Sequence, residues 1–287
     1  MLSVIVPARN EELTLPHTLP HILAAADQAR AQVLVVVPEG TSFHTALPVP
    51  RGRVEWITTD TVGKFPALRD GVARAAGDRL LFCDADVVPE PHAFAALDAA
   101  LDRGADVAAG QIALSTDPRH RGPAVLRRWS AITFATWHDL RTEHPELRWA
   151  LPGALYALHS NYFPAADPLV PVLDDASVGL SARDRGAVID YVPSARVLVT
   201  APASTGQWMR QKVRTQQGWT RLRALRLADA TALESALAEY RARHIGSDPV
   251  GMLLPVQDRV LGLLARRRGA EAAGAWRPER TEWAEVG

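Results

Sequence analysis

Residues 77–91 read GDRLLFCDADVVPEP. Leu80, Leu81, Phe82 and Cys83 form an unbroken apolar run, the pattern of a strand covered on both faces, as strands of parallel sheets are. The run stops abruptly at Asp84-Ala85-Asp86. Two carboxylates one residue apart repel each other unless a cation lies beside them. On an extended backbone both point to one side and Ala85 to the other. Hard oxygen ligands, few in number, suit Mg²⁺ or Mn²⁺ completed by substrate phosphates and water. The plainer alternative is an acidic turn that merely ends a strand.

Further strand candidates lie upstream at 2–7 (LSVIVP), 33–37 and 54–58. After the first comes polar ARNEE, then Leu15, Leu19, Ile22 and Leu23 at helical spacing. Residues 63–76 read as a helix with Ala67, Leu68, Val72 and Ala75 inward, closed by Gly77. Downstream, 91–103 reads as a helix and 107–114 as a strand. Strands alternating with helices define an α/β class with a mostly parallel central sheet flanked by helices. Ligands of such sheets bind at the C-terminal edge of the strands, where Asp84 and Asp86 sit.

The remainder is less periodic. The segment 119–146, rich in Trp, His and Arg, reads as helical and as a lid or acceptor-facing insertion. Residues 149–159 and 187–200 read as later strands of the same sheet. From Gln207 the pattern is helical and basic, with Arg210, Lys212, Arg214, Arg221, Arg223 and Arg226 and no acid among them. The tail from Arg266 is expected to pack loosely.

The chain has 287 residues, enough for one large α/β domain with an appendage. Its 32 basic and 32 acidic side chains cancel, which leaves no global field to draw in nucleic acid. Cys83 is the single cysteine, so no intrachain disulfide and no multi-cysteine zinc site can form, and a cytoplasmic location fits. The first residues lack the basic and apolar regions of a signal peptide. No apolar run reaches the ~18 residues of a membrane span, although peripheral membrane contact stays open. The 9 histidines show no His-Glu-x-x-His spacing, so zinc hydrolysis has no support.

SVIVPARNEE (3–12), GKFPALRDGVARAAGDRLLFCDADVVPEP (63–91) and VLDDASVGLSARDRGAVIDYVPSARVL (172–198) resemble, in order, the signature segments of the family-two inverting glycosyltransferases. Several segments in order are more specific than any one motif. The resemblance covers roughly 1–215 and implies the GT-A fold, with a nucleotide-binding half at about 1–115 and an acceptor half at about 116–215. Residues 216–287 would form a helical extension and tail.

The resemblance implies a site residue by residue. Pro7, Ala8, Arg9, Asn10 and Glu11 match the loop that touches the nucleotide; Asn10 and Glu11 would bond uracil or ribose, or else cap the following helix. Where the family places a base-gripping Asp, this chain has Val37-Pro38-Glu39, so Glu39 would substitute from a shifted position. Lys64 would lie near ribose or phosphates, or else be an exposed lysine starting a helix, and Asp70 stands where Asn or Arg is frequent. Asp84, Ala85 and Asp86 match the metal motif, with Asp86 and Asp84 as ligands to Mn²⁺ or Mg²⁺.

Of the acidic pair before the helix carrying Leu180, Arg183 and Gly186, Asp175 would be the general base and Asp174 its orienting neighbour. An acidic N-cap is the structural alternative, compatible with catalysis. Gly153 matches a turn beside the donor sugar. Gln211 and Arg214 match a box whose Arg contacts diphosphate, except that Thr215 replaces Trp; Trp208 or Trp219 would fill that space. Thr200 stands where some relatives carry a metal-binding His. Trp129, Trp137, His138, Arg148, Trp149, Tyr156, His159 and Asn161 form the most individual part of the chain.

The activity implied is metal-dependent, inverting transfer of a sugar from a nucleotide-diphosphate donor, a UDP-sugar foremost, to a hydroxyl of a small-molecule or lipid-linked acceptor. Two alternatives stand beside it. One is a degenerate relative that binds nucleotide or a partner without turnover. The other is a sugar-nucleotide pyrophosphorylase, which PARNEE fits poorly because it is not a Gly-rich loop.

Overall fold

The computed structural model describes residues 1–42, 45, 47–50, 52–117, 122–165, 170 and 173–244; the tail from Arg266 lies outside them. In chain order the elements are β1 (Leu2–Pro7), α1 (Leu15–Gln28), β2 (Gln32–Pro38), β3 (Glu55–Thr59), α2 (Lys64–Arg74), β4 (Arg79–Cys83), β5 (Val88–Pro89) and α3 (Ala93–Asp102). There follow β6 (Val107–Leu114), α4 (Ala124–Glu143), β7 (Leu155–His159), α5 (Asp174–Asp184), β8 (Ile189–Val199), α6 (Thr205–Leu225) and α7 (Leu227–His244). The helix α2 ends three residues before Gly77, and the expected strand at 149–159 begins only at Leu155 because 149–154 is turn.

The strands form one sheet in the order β3-β2-β1-β4-β7-β6-β8-β5. Strands β1 to β4 run parallel, β7 runs against both β4 and β6, and β8 runs parallel to β6. The C-terminal ends of β1, β2, β3, β4, β6 and β8 therefore share one edge with the start of β7. Register fixes the neighbours there: Cys83 pairs with Leu155 and Phe82 with Tyr156, so the exit of β4 lies beside the approach to β7.

Side chains alternate between two cores, as strand pleating requires. Val4, Val6, Leu81 and Cys83 face α1 and α3, whereas Ile5, Leu80, Phe82 and Tyr156 face α2 and α5. Each fully buried Val, Ile or Leu contributes about 1.5–3 kcal/mol, which makes such central strands a main source of the fold's stability. Helix α5 is packed on two sides: Val178 and Ala182 lie in the sheet core, while Ala176 and Leu180 pack with Leu140 of α4, Leu222 of α6 and Tyr240 of α7. A helix covered this way shows little amphipathic contrast, and its first turn is carried into the interior.

Candidate active site

At the exit of β4 the chain turns through Ala85 and Asp86 instead of staying extended. Burial still alternates: Asp84 and Asp86 are half-buried, and Ala85 and Val87 are buried. The turn is held from behind by Thr18 of α1, a fully buried residue whose hydroxyl donates to the Ala85 carbonyl at 2.6 Å. Asp84 donates its amide to the Ala154 carbonyl at 3.1 Å, locking the turn to the approach of β7.

Lys64, at the first position of α2, reaches across this edge. Its ammonium lies 2.6 Å from Asp84 Oδ1 and donates to the Gly153 carbonyl at 3.0 Å. Burial alone would lower its pKa, but the carboxylates of Asp84, Asp174 and Asp175 outweigh that and hold it charged. Asp84 is pushed up by burial, opposed by Lys64, and pushed further by Asp86.

Asp174 and Asp175 occupy the first turn of α5, behind the N-cap residue Leu173, and no side chain caps the helix. The expected acidic N-cap is thus one position out, although the helix dipole still favours negative charge there. Asp175 Oδ1 accepts its neighbour Ala176's amide at 2.8 Å. Burial, then repulsion from Asp174, raise the Asp175 pKa to about 6 against the pull of Lys64. Asp174 is 8% exposed, and its Oδ2 is buried without a partner among the described residues. The Tyr156 hydroxyl is likewise buried and unpartnered, and is kept protonated by burial and by Asp174, Asp175 and Asp84.

Gly153 sits where a side chain would collide with this pair: a Cβ there would lie 2.7 Å from Asp175 Oδ2. Gly179 makes the same allowance one turn along α5, where a Cβ would lie 2.0 Å from the Trp149 carbonyl oxygen. The structure therefore brings Lys64, Asp84, Gly153, Asp174 and Asp175, which are distant in sequence, into one set of contacts, with Ala85 and Asp86 on the adjoining turn.

The other expected site residues fall around it. Pro7 ends β1, Ala8 is buried and donates its amide to the Val36 carbonyl at 2.8 Å, and Arg9 is half-buried. Asn10 is exposed in the left-handed region at φ 58°. Glu11 is only 4% exposed: its carboxylate takes the Thr14 hydroxyl and its carbonyl accepts the amides of Thr14 and Leu15. The N-cap of α1 is Thr14, and no side chain caps the helix, so Glu11 is turned inward without taking the capping role. Glu39 and Gln211 are exposed and Arg214 is half-buried on α6. Asp70 is bonded by the hydroxyls of Thr59 and Thr61 at the end of β3.

The aromatic and basic residues are more structural than their types suggest. Trp208 is buried and stacks on Trp129 with centroids 4.9 Å apart, and Trp219 packs with Trp137 and Trp149. Arg223 pairs with Glu234, and Arg226 with Asp184 at 2.6 Å and Asp229 at 2.9 Å, tying α5 to α7. Two residues that touch the site's framework, Thr18 and Arg141, carry no sequence signal: one is a helix threonine, the other an arginine in an arginine-rich stretch.

An acidic centre at the C-terminal edge of a sheet with this strand order is the arrangement of the GT-A fold. Residues 1–218 match the family described as glycosyltransferase like family 2, and the chain belongs to that family. Among solved structures it is similar to the mannosyltransferase PcManGT of Pyrobaculum calidifontis, in complex with GDP-Man and Mn²⁺, at 17% identity and TM-score 0.55, covering 93% of this chain and 82% of that one. It is also similar to glucosyl-3-phosphoglycerate synthase of Mycobacterium tuberculosis, in complex with Mn²⁺, UDP and phosphoglyceric acid, at 17% identity and TM-score 0.54, covering 78% of each chain. At these identities the likeness establishes the fold.

A curated relative, the undecaprenyl-phosphate 4-deoxy-4-formamido-L-arabinose transferase of Shewanella sediminis, is 29% identical over 136 residues. The match takes in 45% of this chain and 39% of that protein, so the chain spans about two-fifths of the relative's length. No helix among the described residues is long and apolar enough to cross a membrane.

Proposed function

We propose that this glycosyltransferase moves a sugar, with inversion, from a nucleoside-diphosphate donor, a UDP-sugar foremost, to a hydroxyl of a small or lipid-linked acceptor, with Asp175 as general base. The observation that carries the reading is the convergence of Asp84, Asp174, Asp175 and the half-buried Lys64 at one sheet edge, where burial and Asp174 raise the Asp175 carboxyl to about 6. A base poised near neutrality takes an acceptor proton most effectively. Asp174, with its unpartnered Oδ2, would orient Asp175 or hold an acceptor hydroxyl.

The donor set fits a divalent ion. Asp84 and Asp86 stand half-buried on one turn, and Asp86 adds to the upward push on Asp84, the repulsion a cation relieves. Among the described residues no group of three or more His, Cys, Asp or Glu could hold a metal by itself, which leaves positions for donor phosphates. Bound there, Mn²⁺ or Mg²⁺ would neutralise the charge of the departing diphosphate. Lys64 holds Asp84 in place and adds a fixed positive charge on the phosphate side. Pro7 to Glu11, Glu39, Gln211 and Arg214 remain candidates for nucleotide contacts, and the GDP-Man and UDP complexes of the similar structures support a nucleotide at this edge.

The curated relative's name supports a lipid-linked acceptor. A phosphate acceptor is already ionised at neutral pH and needs no base, so one variant separates the chemistries. In Asp175→Asn, transfer to a hydroxyl should fall by about 10²–10⁴-fold while Mn²⁺-dependent UDP or GDP binding persists. Turnover at the wild-type rate would rule out Asp175 as the base.

A further inference from the structure

We propose that Arg141 is the positioning residue of this centre, gripping the turn 149–154 that sets Lys64, Asp84 and Asp175 against one another; this rests on reading the site as one for sugar transfer. Arg141 lies in the last turn of α4 and is 6% exposed. Its Nε and Nη2 both donate to one acceptor, the Ala150 carbonyl, at 3.0 and 2.7 Å. The guanidinium lies over the Trp137 ring, 4.9 Å from its centroid. Arg148 returns the contact: its Nε donates to the Arg141 carbonyl at 3.1 Å and its Nη1 to Asp190 at 3.1 Å.

Burying a guanidinium is expensive even with the Asp175 charge acting on it, and a structure that only needed to cover Ala150 would do so with an apolar side chain. What the fork provides is direction, since two donors in a rigid plane fix the acceptor's orientation as well as its distance. The turn so held meets three members of the centre, Lys64, Asp84 and Asp175. Its Gly153 carbonyl accepts Lys64, its Ala154 carbonyl accepts the Asp84 amide, and its Gly153 α-carbon abuts the Asp175 carboxylate. Its Trp149 carbonyl is seated against Gly179 of α5, and Arg183 of α5 lies over the Trp149 ring at 5.7 Å. A connecting turn is ordinarily the softest part of a sheet edge. Here it is the common reference for three charged groups, and Arg141 fixes it to α4.

Two variants test this, Arg141→Met and Arg141→Lys, each compared with wild type by amide hydrogen exchange, by UDP and GDP binding with Mn²⁺, and by turnover of UDP- and GDP-sugars. In Arg141→Met, exchange at 150–155 and at Asp84 should rise about tenfold while β1 and β2 keep their protection. Mn²⁺-dependent nucleotide affinity should fall by no more than about tenfold, through the loosened Lys64 and Asp84, while turnover falls about a hundredfold, the cost of misplacing reacting groups by ~1 Å. Arg141→Lys, which keeps the charge but loses the fork, should fall between, and it decides by the same readouts if Arg141→Met does not fold. Unchanged exchange in both variants, or affinity lost in parallel with turnover, overturns the inference. Because exchange needs no turnover, loosened exchange beside a wild-type chain that turns over no nucleotide sugar sustains the positioning and sinks the transfer reading instead.

Discussion

Replacing Gly153 by alanine tests the acidic centre with a single methyl group. The added Cβ would stand 2.7 Å from Asp175 Oδ2 and 3.3 Å from its Cγ. Ordinary contact begins near 3.5 Å, so the carboxylate must retreat by roughly 0.8 Å. It cannot go far, because Asp175 Oδ1 is bonded to the Ala176 amide and the helix behind it is packed on two sides. Displacing a reacting group by this amount costs about ten- to a hundredfold in turnover. The overpacking itself should cost about 1–3 kcal/mol of stability. Lys64 bonds the backbone carbonyl of Gly153, which alanine retains, so nucleotide affinity should hold. The assay is turnover of a nucleotide sugar beside calorimetric titration with UDP or GDP and Mn²⁺. Full turnover in Gly153→Ala would refute the assignment of Asp175 as a base held at this position, and a loss of nucleotide affinity equal to the loss of turnover would move Gly153 into the donor site.

Three further outcomes are expected. With Asp175 titrating at about 6, turnover should fall about tenfold per pH unit below that value, and a limb set by another group would leave Asp175→Asn with the same profile. A carboxyl raised by folding binds its proton more tightly in the native state, so stability should decline as pH rises from about 4 to about 6, by up to about 3 kcal/mol. Asp175→Asn should therefore melt above wild type at pH 7.5 and level with it at pH 4, and a variant less stable at pH 7.5 contradicts the burial argument. Thr18→Val leaves the Ala85 carbonyl without its 2.6 Å donor and should cost about 1–3 kcal/mol, with weaker Mn²⁺-dependent nucleotide binding and unchanged binding in chelator; equal losses in both conditions would detach Thr18 from the acidic turn.

The burial of the central strands and the acidic stop at Asp84 were legible because they are local. An apolar run covered on both faces needs no knowledge of its neighbours, and Asp84 and Asp86 follow directly from where that run ends. Helix starts were legible to within a few residues for the same reason. The reversal of β7 was not, because LYALH is as apolar as the parallel strands and its composition carries no direction. Nor was the inward turn of the Glu11 side chain, whose carboxylate accepts the buried Thr14 hydroxyl.

Sequence pattern by itself determined which residues leave water and where charge must surface, since periodicity reports burial face and nothing more. Tertiary structure alone decided that Lys64 meets both Asp84 and Gly153, that Gly153 abuts Asp175, and that Arg141 grips the turn between them. Those contacts depend on strand order, on the register of β7 against β4, and on a helix packed from both sides, and each joins segments whose local sequences are indifferent to one another.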